Sequence, residues 1–147
     1  MRASLVWSSP SPEKTIAVAM RRCYSTKPIE EIETELDQKG SEYWKYLLAK
    51  SLQDKSLDVI EHFTMTFMIE EAKENEVGEL ARVFSQLRFL RAGPDSWLLS
   101  MNARTLIEMW RNWSSKKTAE VFVSELGRRE VCPVLIPLAF GEKSDAG

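Results

Sequence analysis

The chain has 147 residues, of which 44% are hydrophobic, and 20 basic against 22 acidic residues leave a net charge of −2. This length suits one domain with its own core, and the near-neutral charge provides no general attraction for nucleic acid or anionic membranes. No apolar run approaches the ~18 residues of a membrane span, and the start MRASLVWSSPSP does not fit a signal peptide. We therefore expect a cytoplasmic protein that binds neither nucleic acid nor membrane.

Histidine and cysteine, the usual zinc ligands, are scarce in this chain. His62 is the single histidine, and the two cysteines, Cys23 and Cys132, are far apart without a CxxC pair. This excludes the usual zinc sites and predicts reduced thiols and no metal. No GxSxG, HExxH, Walker A or GxGxxG motif occurs, so catalytic residues cannot be assigned.

The first half of the chain predicts a strand followed by three helices. The apolar run 3–7 predicts a strand. Ser11 and Pro12 form a helix start, and the apolar spacing continues to about Cys23. A second helix follows from 29 until Gly40, and a third over 41–53.

The second half predicts strands alternating with helices. Strict alternation over 63–69 predicts a strand with two fairly apolar faces, hence a central one. An apolar helical stripe begins at Val77 and ends near Gly93, and 97–101 predicts a short strand. Asn102 then begins a helix through Trp113, and a last helix begins at 114–115.

Together these elements predict an α+β fold, a small mixed or antiparallel sheet covered by helices. A single domain is expected over residues 1–140, with a disordered tail over 141–147.

Two pairs of polar residues are candidates for ligand binding. Glu61 and His62 come just before the central strand, and an imidazole beside a carboxylate can hold a ligand ring or a phosphate. The alternative is a histidine that only packs against its neighbours. Asn102 and Arg104 begin a helix, where backbone N–H groups and a guanidinium suit an anion. The alternative there is an ordinary N-cap followed by a surface arginine.

Two further groups of residues favour ordinary structural roles. The arginines of the helix predicted from Val77, namely Arg82, Arg88 and Arg91, would form a basic face, but charge pairing with nearby glutamates is the interpretation we favour. The acidic residues within 30–37 predict a solvated face. Large apolar residues at helical or strand spacing are expected in the core: Trp44, Trp97, Trp110, Trp113, Met65, Met68 and Met109.

Four segments, taken in order, resemble the flavin-dependent thymidylate synthases. They are SPEKTIAVAMRRCYS, DVIEHFTMTFMIE, SWLLSMNARTLIEMWRNW and TAEVFVSELGRREVCPVLIPLAF. Their counterparts in that family are a helix ending in A-R-x-C-Y-S, a central S-V-x-E-H-x-x-F-T-F strand, an N-A-R-x-L box and a final helix that leads to a proline. The resemblance covers most of the chain.

The resemblance implies reductive methylation of dUMP to dTMP. Methylenetetrahydrofolate would donate the carbon, NADPH would be the reductant and FAD the hydride carrier, in a homotetramer with sites between subunits. By the same resemblance, the flavin-binding residues are His62, Asn102 and Arg104. The nearest counterparts of the arginines that bind the nucleotide are Arg88, Arg91 and Arg111.

The family signature R-H-R-x-x-S, which follows the central strand, is missing. Its nearest remnant, QLRFLR at 86–91, has different arginine spacing, contains no histidine and lies close to Asn102. This arrangement implies that the signature and the helices after it are deleted from this sequence. Without those cations, anionic ligands lose the charges that offset their desolvation.

Three functions remain open from the sequence. An active FAD-dependent synthase would need arginines from another chain or a rearrangement of the arginines at 82–91. A shortened paralogue, which we favour, would keep the fold and part of a flavin or nucleotide pocket, as a binder or as the partner subunit of a complete synthase. A structural or interaction protein would have no ligand of its own. We expect a homo-oligomer whose interface includes the helix at 106–113.

Overall fold

A computed structural model describes residues 1–54 and 56–141 of the chain. In these ranges four strands form one antiparallel sheet in the order β1-β2-β4-β3. The strands are β1 (Arg2–Ser8), β2 (Thr64–Glu70), β3 (Arg88–Gly93) and β4 (Ser96–Asn102). The predicted α+β class is confirmed, and β2 is an inner strand as its two apolar faces predicted. Apart from Gly141, the tail predicted to be disordered lies outside the described residues.

Helices pack mainly on one side of this sheet. They are α1 (Pro12–Arg22), α2 (Ile29–Lys39), α3 (Ser41–Gln53), α4 (Glu74–Val83), α5 (Ala103–Arg111), α6 (Lys116–Arg128) and α7 (Leu135–Phe140), with a 3-10 helix at Val59–His62. The predicted starts of α1, α2, α3 and α5 are confirmed within a residue. The six-residue α7 was not predicted, because Pro137 lies inside it. Among the described helices, none has the length and apolar content to cross a membrane.

The two faces of the sheet differ in what covers them. Met65, Phe67 and Ile69 of β2 are buried against the helices, and the ring of Phe67 lies 4.8 Å from that of Phe122 in α6. The alternating residues of each strand are exposed or partly exposed, because side chains in a strand point to opposite faces. We call this second side the open face, and its residues include Arg2, Ser4, Trp7, Thr64, Thr66, Met68, Glu70, Arg88, Leu90, Leu98, Ser100 and Asn102.

The helix predicted from Val77 to Gly93 is wrong in its second half. Helix α4 ends at Val83, and the chain returns to the sheet as β3, which begins at Arg88. Three-residue spacing places two residues on the same side of a helix but on opposite sides of a strand. Arg88 and Arg91 therefore lie on opposite faces of the sheet, whereas the helical interpretation had placed them together.

Two residues expected in the core lie at the surface. Trp113 is 90% exposed because α5 ends at Arg111, so the apolar stripe of that helix does not reach it. Met68 lies on the open face and is partly exposed. The apolar residues of α5 that we expected at a subunit interface, including Leu106 and Met109, are instead buried within this chain.

A buried carboxylate fixes β1 to the helical layer. The Glu125 carboxylate of α6 accepts a hydrogen bond of 2.6 Å from the backbone N–H of Leu5, and it also pairs with Arg128 and Arg129. Burial by itself would raise the pKa of Glu125, but these hydrogen bonds outweigh burial and hold the pKa below its usual value. The contact anchors the middle of β1, two residues before Trp7.

Candidate functional site

A groove of about 430 Å³ crosses one end of the open face, where the 3-10 helix passes into β2. Its lining combines one aromatic ring, one guanidinium, one carboxylate and several hydroxyl and amide groups. The lining residues are Trp7, Glu61, Thr64, Met65, Thr66, Gln86, Arg88, Ser100, Met101 and Asn102. Glu61 and Asn102, from two separate sequence candidates, therefore lie in the same groove as Arg88.

One straight row of side chains crosses the floor of this groove. Trp7 pairs with Thr66, Thr66 with Ser100, and Ser100 with Arg88, so the row follows the strand order from one edge of the sheet to the other. At its centre the hydroxyls of Thr66 and Ser100 lie 2.9 Å apart in a hydrogen bond. The row thus has an aromatic end, a hydroxyl centre and a cationic end.

Trp7 reaches the open face because β1 contains a bulge. Leu5 pairs with Phe67, but Trp7 pairs with Thr66, so Val6 is the extra residue. Without the bulge Trp7 would face Met65 and point into the core, since neighbouring residues alternate between faces. The bulge turns the indole to the open face, where Trp7 is 52% exposed.

Arg88 is held by carbonyl groups and not by a carboxylate. One of its terminal nitrogens donates to the backbone oxygens of Ser85, at 2.6 Å, and Leu87, at 3.2 Å. Within the described residues no acidic side chain forms an ion pair with Arg88. Its remaining donors and its full charge therefore stay available at the groove.

Arg91 lies outside the groove and already has partners. On the opposite face it forms an ion pair with Glu74 and stacks over the ring of Trp97, with 4.5 Å from guanidinium carbon to ring centroid. The ion pair with Glu74, and hydrogen bonds from the other terminal nitrogen to the Gly93 and Pro94 carbonyls, use the N–H groups through which an arginine would bind a phosphate. Of the two arginines predicted in this segment, only Arg88 lines the groove.

The two residues predicted from the N-A-R box have structural partners beside the groove. The Asn102 side-chain oxygen accepts a hydrogen bond of 2.9 Å from the backbone N–H of Thr105, which makes it the N-cap of α5. Arg104 lies 3.0 Å from Glu61 and 3.3 Å from Glu108. The hydrogen bond to Glu61 is the main cause that raises the pKa of Arg104, so this guanidinium keeps its charge.

His62 and Arg111 do not line the groove. The exposed His62 is the last residue of the 3-10 helix, and its backbone oxygen lies 3.3 Å from the Ser9 hydroxyl. Arg111 is exposed at the end of α5. Across the described part of the chain, no group of three or more His, Cys, Asp or Glu side chains is arranged to hold a metal ion.

Sequence reasoning missed seven groove residues, namely Trp7, Thr66 and Ser100 of the central row and also Thr64, Met65, Gln86 and Met101. The alternation in β2 did indicate the face on which Thr66 lies. Its neighbours Met65 and Phe67 are apolar and face the core, so Thr66 must face the other side of the sheet. No local pattern indicates Trp7, because the bulge that exposes it depends on the pairing of β1 with β2. Ser100 lies in the groove only because β4 pairs with β2 and β3, which places Ser100 between Thr66 and Arg88.

Comparison with known proteins gives a family and a fold. The family model described as "Thymidylate synthase complementing protein" matches residues 4–83, more than half of the chain. The structure is similar to flavin-dependent thymidylate synthase ThyX from Helicobacter pylori complexed with FAD and dUMP, with a TM-score of 0.64, 12% identity, and coverage of 86% of this chain and 94% of that one.

A second structure of Helicobacter pylori ThyX with FAD and dUMP has a TM-score of 0.58 and 14% identity, covering 86% of this chain and 93% of that one. At such low identity these likenesses establish the fold alone. No curated protein matches the sequence.

Proposed function

Because this chain belongs to the thymidylate synthase complementing protein family, we propose that it binds a phosphorylated nucleotide or flavin in the open-face groove and does not complete the synthase reaction by itself. In this proposal the chain is a divergent member that retains part of a flavin or nucleotide pocket. The ligands considered are FAD and dUMP, which are present in the similar ThyX structures.

The observation that supports binding most directly is the state of Arg88. Among the described residues that line the groove it is the sole cation, it has no acidic partner, and backbone carbonyls hold its position. A guanidinium in this state binds a phosphate through charge-assisted hydrogen bonds without first breaking an ion pair. The hydroxyls of Thr66 and Ser100 offer neighbouring donors and acceptors.

The size of the groove favours part of FAD over the whole cofactor. Its volume of about 430 Å³ is near the lower end of the roughly 300–1,000 Å³ typical of ligand pockets. The residues of one chain therefore fit one nucleotide-sized half of FAD or one dUMP. A complete FAD site would need surfaces from a second copy or from a partner synthase.

The shortage of available cations supports the absence of catalysis in the isolated chain. Arg104 is engaged by two carboxylates, Arg91 lies on the other face, and His62 does not line the groove. One free guanidinium cannot offset the charges of a flavin diphosphate and a nucleotide phosphate together. The one available guanidinium is therefore better matched to a single phosphorylated ligand than to a flavin and a nucleotide together.

The binding proposal is tested with one groove arginine and one matched control. We expect saturable binding of dUMP or FMN by the purified protein in calorimetric titrations, and at least a tenfold loss in Arg88→Gln, since hydrogen bonds to charged groups contribute about 1.5–3 kcal/mol. Arg91→Gln removes the same charge three residues away on the opposite face and should bind as the unmodified protein does. Equal losses in both variants would contradict the assignment of the groove.

The proposal on catalysis is tested in cells and in vitro. A strain that requires thymidine should not be rescued by this chain at an expression level where a complete synthase rescues it. Purified protein with FAD, NADPH, methylenetetrahydrofolate and dUMP should form no dTMP. Rescue, or dTMP formation that Arg88→Gln abolishes, would show that the chain is an active synthase.

A second candidate function, subunit contact, is favoured by the apolar part of the open face. Met68, Leu98 and Leu90 form the next cross-strand row, and Leu90 is 65% exposed. Such a row would be covered in a homo-oligomer or against a complete synthase. Light scattering after size exclusion tests this, with Leu90→Glu expected to shift the chain to monomer and Val83→Glu, at a similarly exposed apolar residue outside the sheet, as the control.

A further inference from the structure

We propose that Trp7 binds an aromatic ring of the ligand, so that Trp7 and Arg88 together select molecules with a planar heterocycle at one end and a phosphate at the other. This inference rests on the proposed function of the groove and assigns its ring-binding end. A mononucleotide of the dUMP or FMN type has this form.

The first argument is the exposure of Trp7 at a lining position. The residue is 52% exposed and belongs to the groove together with Arg88, Thr66 and Ser100. An indole offers a large flat surface, and ordering it costs little side-chain entropy. Heterocyclic bases stack on such surfaces with little dependence on their identity. A buried indole would have no such surface to offer.

The second argument is that the local backbone is arranged to expose this residue. The bulge at Val6 reverses the alternation, so an indole that would have joined the core faces the groove instead. The strand is fixed just before the bulge by the hydrogen bond from Leu5 to Glu125, and just after it by Ser9, whose hydroxyl accepts a 2.8 Å hydrogen bond from the Thr64 backbone N–H. Bulges commonly aim a side chain at a binding site.

The third argument is the spacing along the row. Trp7 and Arg88 belong to the two edge strands, and the two inner strands separate them. At about 4.8 Å between neighbouring strands, their backbones are roughly 14 Å apart, and both long side chains extend into the shared groove. A ring and a phosphate joined through one sugar or ribityl chain are of a length that fits between them, and the Thr66 and Ser100 hydroxyls lie between the two ends.

The test separates ring binding from phosphate binding by using two probes. Affinities for dUMP and for 2-deoxyribose 5-phosphate, which lacks the ring, are measured by calorimetry on the unmodified chain and on Trp7→Ala, Trp7→Phe and Arg88→Gln. Trp113→Ala is the control, since Trp113 is the more exposed tryptophan and does not line the groove. Thermal melting of each variant verifies that it is folded.

We expect Trp7→Ala to weaken dUMP binding about 5- to 150-fold, the range of one base stacked on an aromatic ring, and to leave binding of the sugar phosphate unchanged. Trp7→Phe should keep most of the dUMP affinity while losing the indole fluorescence quenching caused by the ligand. Arg88→Gln should weaken both probes. Trp113→Ala should change neither affinity.

Two results would overturn the inference while leaving the proposed function intact: dUMP affinity unaffected by Trp7→Ala, or an equal loss for both probes, which would indicate a purely structural role. If the unmodified chain binds neither dUMP nor FMN, the proposed function itself fails. The two failures are therefore distinguishable.

Discussion

The guanidinium of Arg104 lies 3.0 Å from the carboxylate of Glu61, and that carboxylate also lines the groove. Arg104, which was expected to contact an anionic cofactor, is thus paired with Glu61. Glu61 also adds a negative charge to the lining of the groove. Both side chains are about two-fifths exposed, at 40% and 39%. Solvent therefore screens the pair, and its net energy is small.

Glu61→Gln should strengthen the binding of dUMP. The substitution removes a negative charge from the groove wall and releases Arg104, and exposed pairs of this kind contribute about 0.2–1 kcal/mol. We expect affinity to rise by up to about fivefold and the gain to diminish at high salt.

The control is Glu79→Gln, which removes a charge paired with Arg82 away from the groove. It should leave the affinity unchanged. Weaker binding in Glu61→Gln would indicate that the carboxylate itself contacts the ligand.

Two substitutions at Asn102 should separate its capping role from its place in the groove. Asn102→Ala removes the acceptor for the Thr105 N–H and should cost about 1 kcal/mol, a fall in Tm of roughly 2–4 °C. Asn102→Asp keeps a capping oxygen but adds a negative charge, so Tm should be maintained while dUMP affinity falls. Thermal melts and titrations on the same samples check both effects. An unchanged affinity in Asn102→Asp would place the anion elsewhere.

Glu125→Gln should destabilise the protein at neutral pH and lose this effect in acid. The folded pKa of Glu125 lies below its usual value of 4.5, so its stabilising contribution is present above that value and disappears as pH falls through the lowered pKa. At pH 7 the substitution weakens the hydrogen bonds from Leu5, Arg128 and Arg129, and we expect a loss of about 1–3 kcal/mol. Denaturation curves at a series of pH values measure the difference.

Glu13→Gln should change the stability of the protein with the opposite dependence on pH. Burial raises the pKa of Glu13 above 4.5, although the hydrogen bonds from Leu135 and Val134 partly lower it. Any advantage of Glu13 over glutamine is therefore fullest below pH 4.5 and declines as pH rises through the raised pKa. If the two substitutions gave parallel pH profiles, the environments assigned to these carboxylates would be wrong.

The two cysteines should react with thiol reagents very differently. Burial, with a smaller effect from the Glu13 carboxylate, raises the pKa of Cys132 to about 12, whereas Cys23 is exposed. The thiolate is the reactive form, so one equivalent of thiol should be titrated in the native protein and two after denaturation. Cys23→Ser should abolish the native reaction, and two rapid equivalents in the native state would contradict the burial of Cys132.

Local sequence determined much of the helical layer. The Pro12 start of α1 and the Asn102 cap of α5 are correctly placed, because these signals act over three or four residues and do not depend on distant contacts. Ser11 occupies the predicted N-cap position of α1, but its side chain makes no capping hydrogen bond. The inner position of β2 also followed from its own alternation. The family resemblance rests on the same kind of information, since its motifs are read directly along the chain.

Tertiary structure alone decided the composition of the groove. The segment 84–93 has apolar residues at helical spacing, yet pairing with β4 makes it a strand, and this separates Arg88 from Arg91 by the thickness of the sheet. A bulge that exists only in the pairing of β1 with β2 turns Trp7 outward. The physical reason is the same in both cases: the face on which a strand residue lies is fixed by its register with a partner distant in sequence, and no local propensity encodes that register.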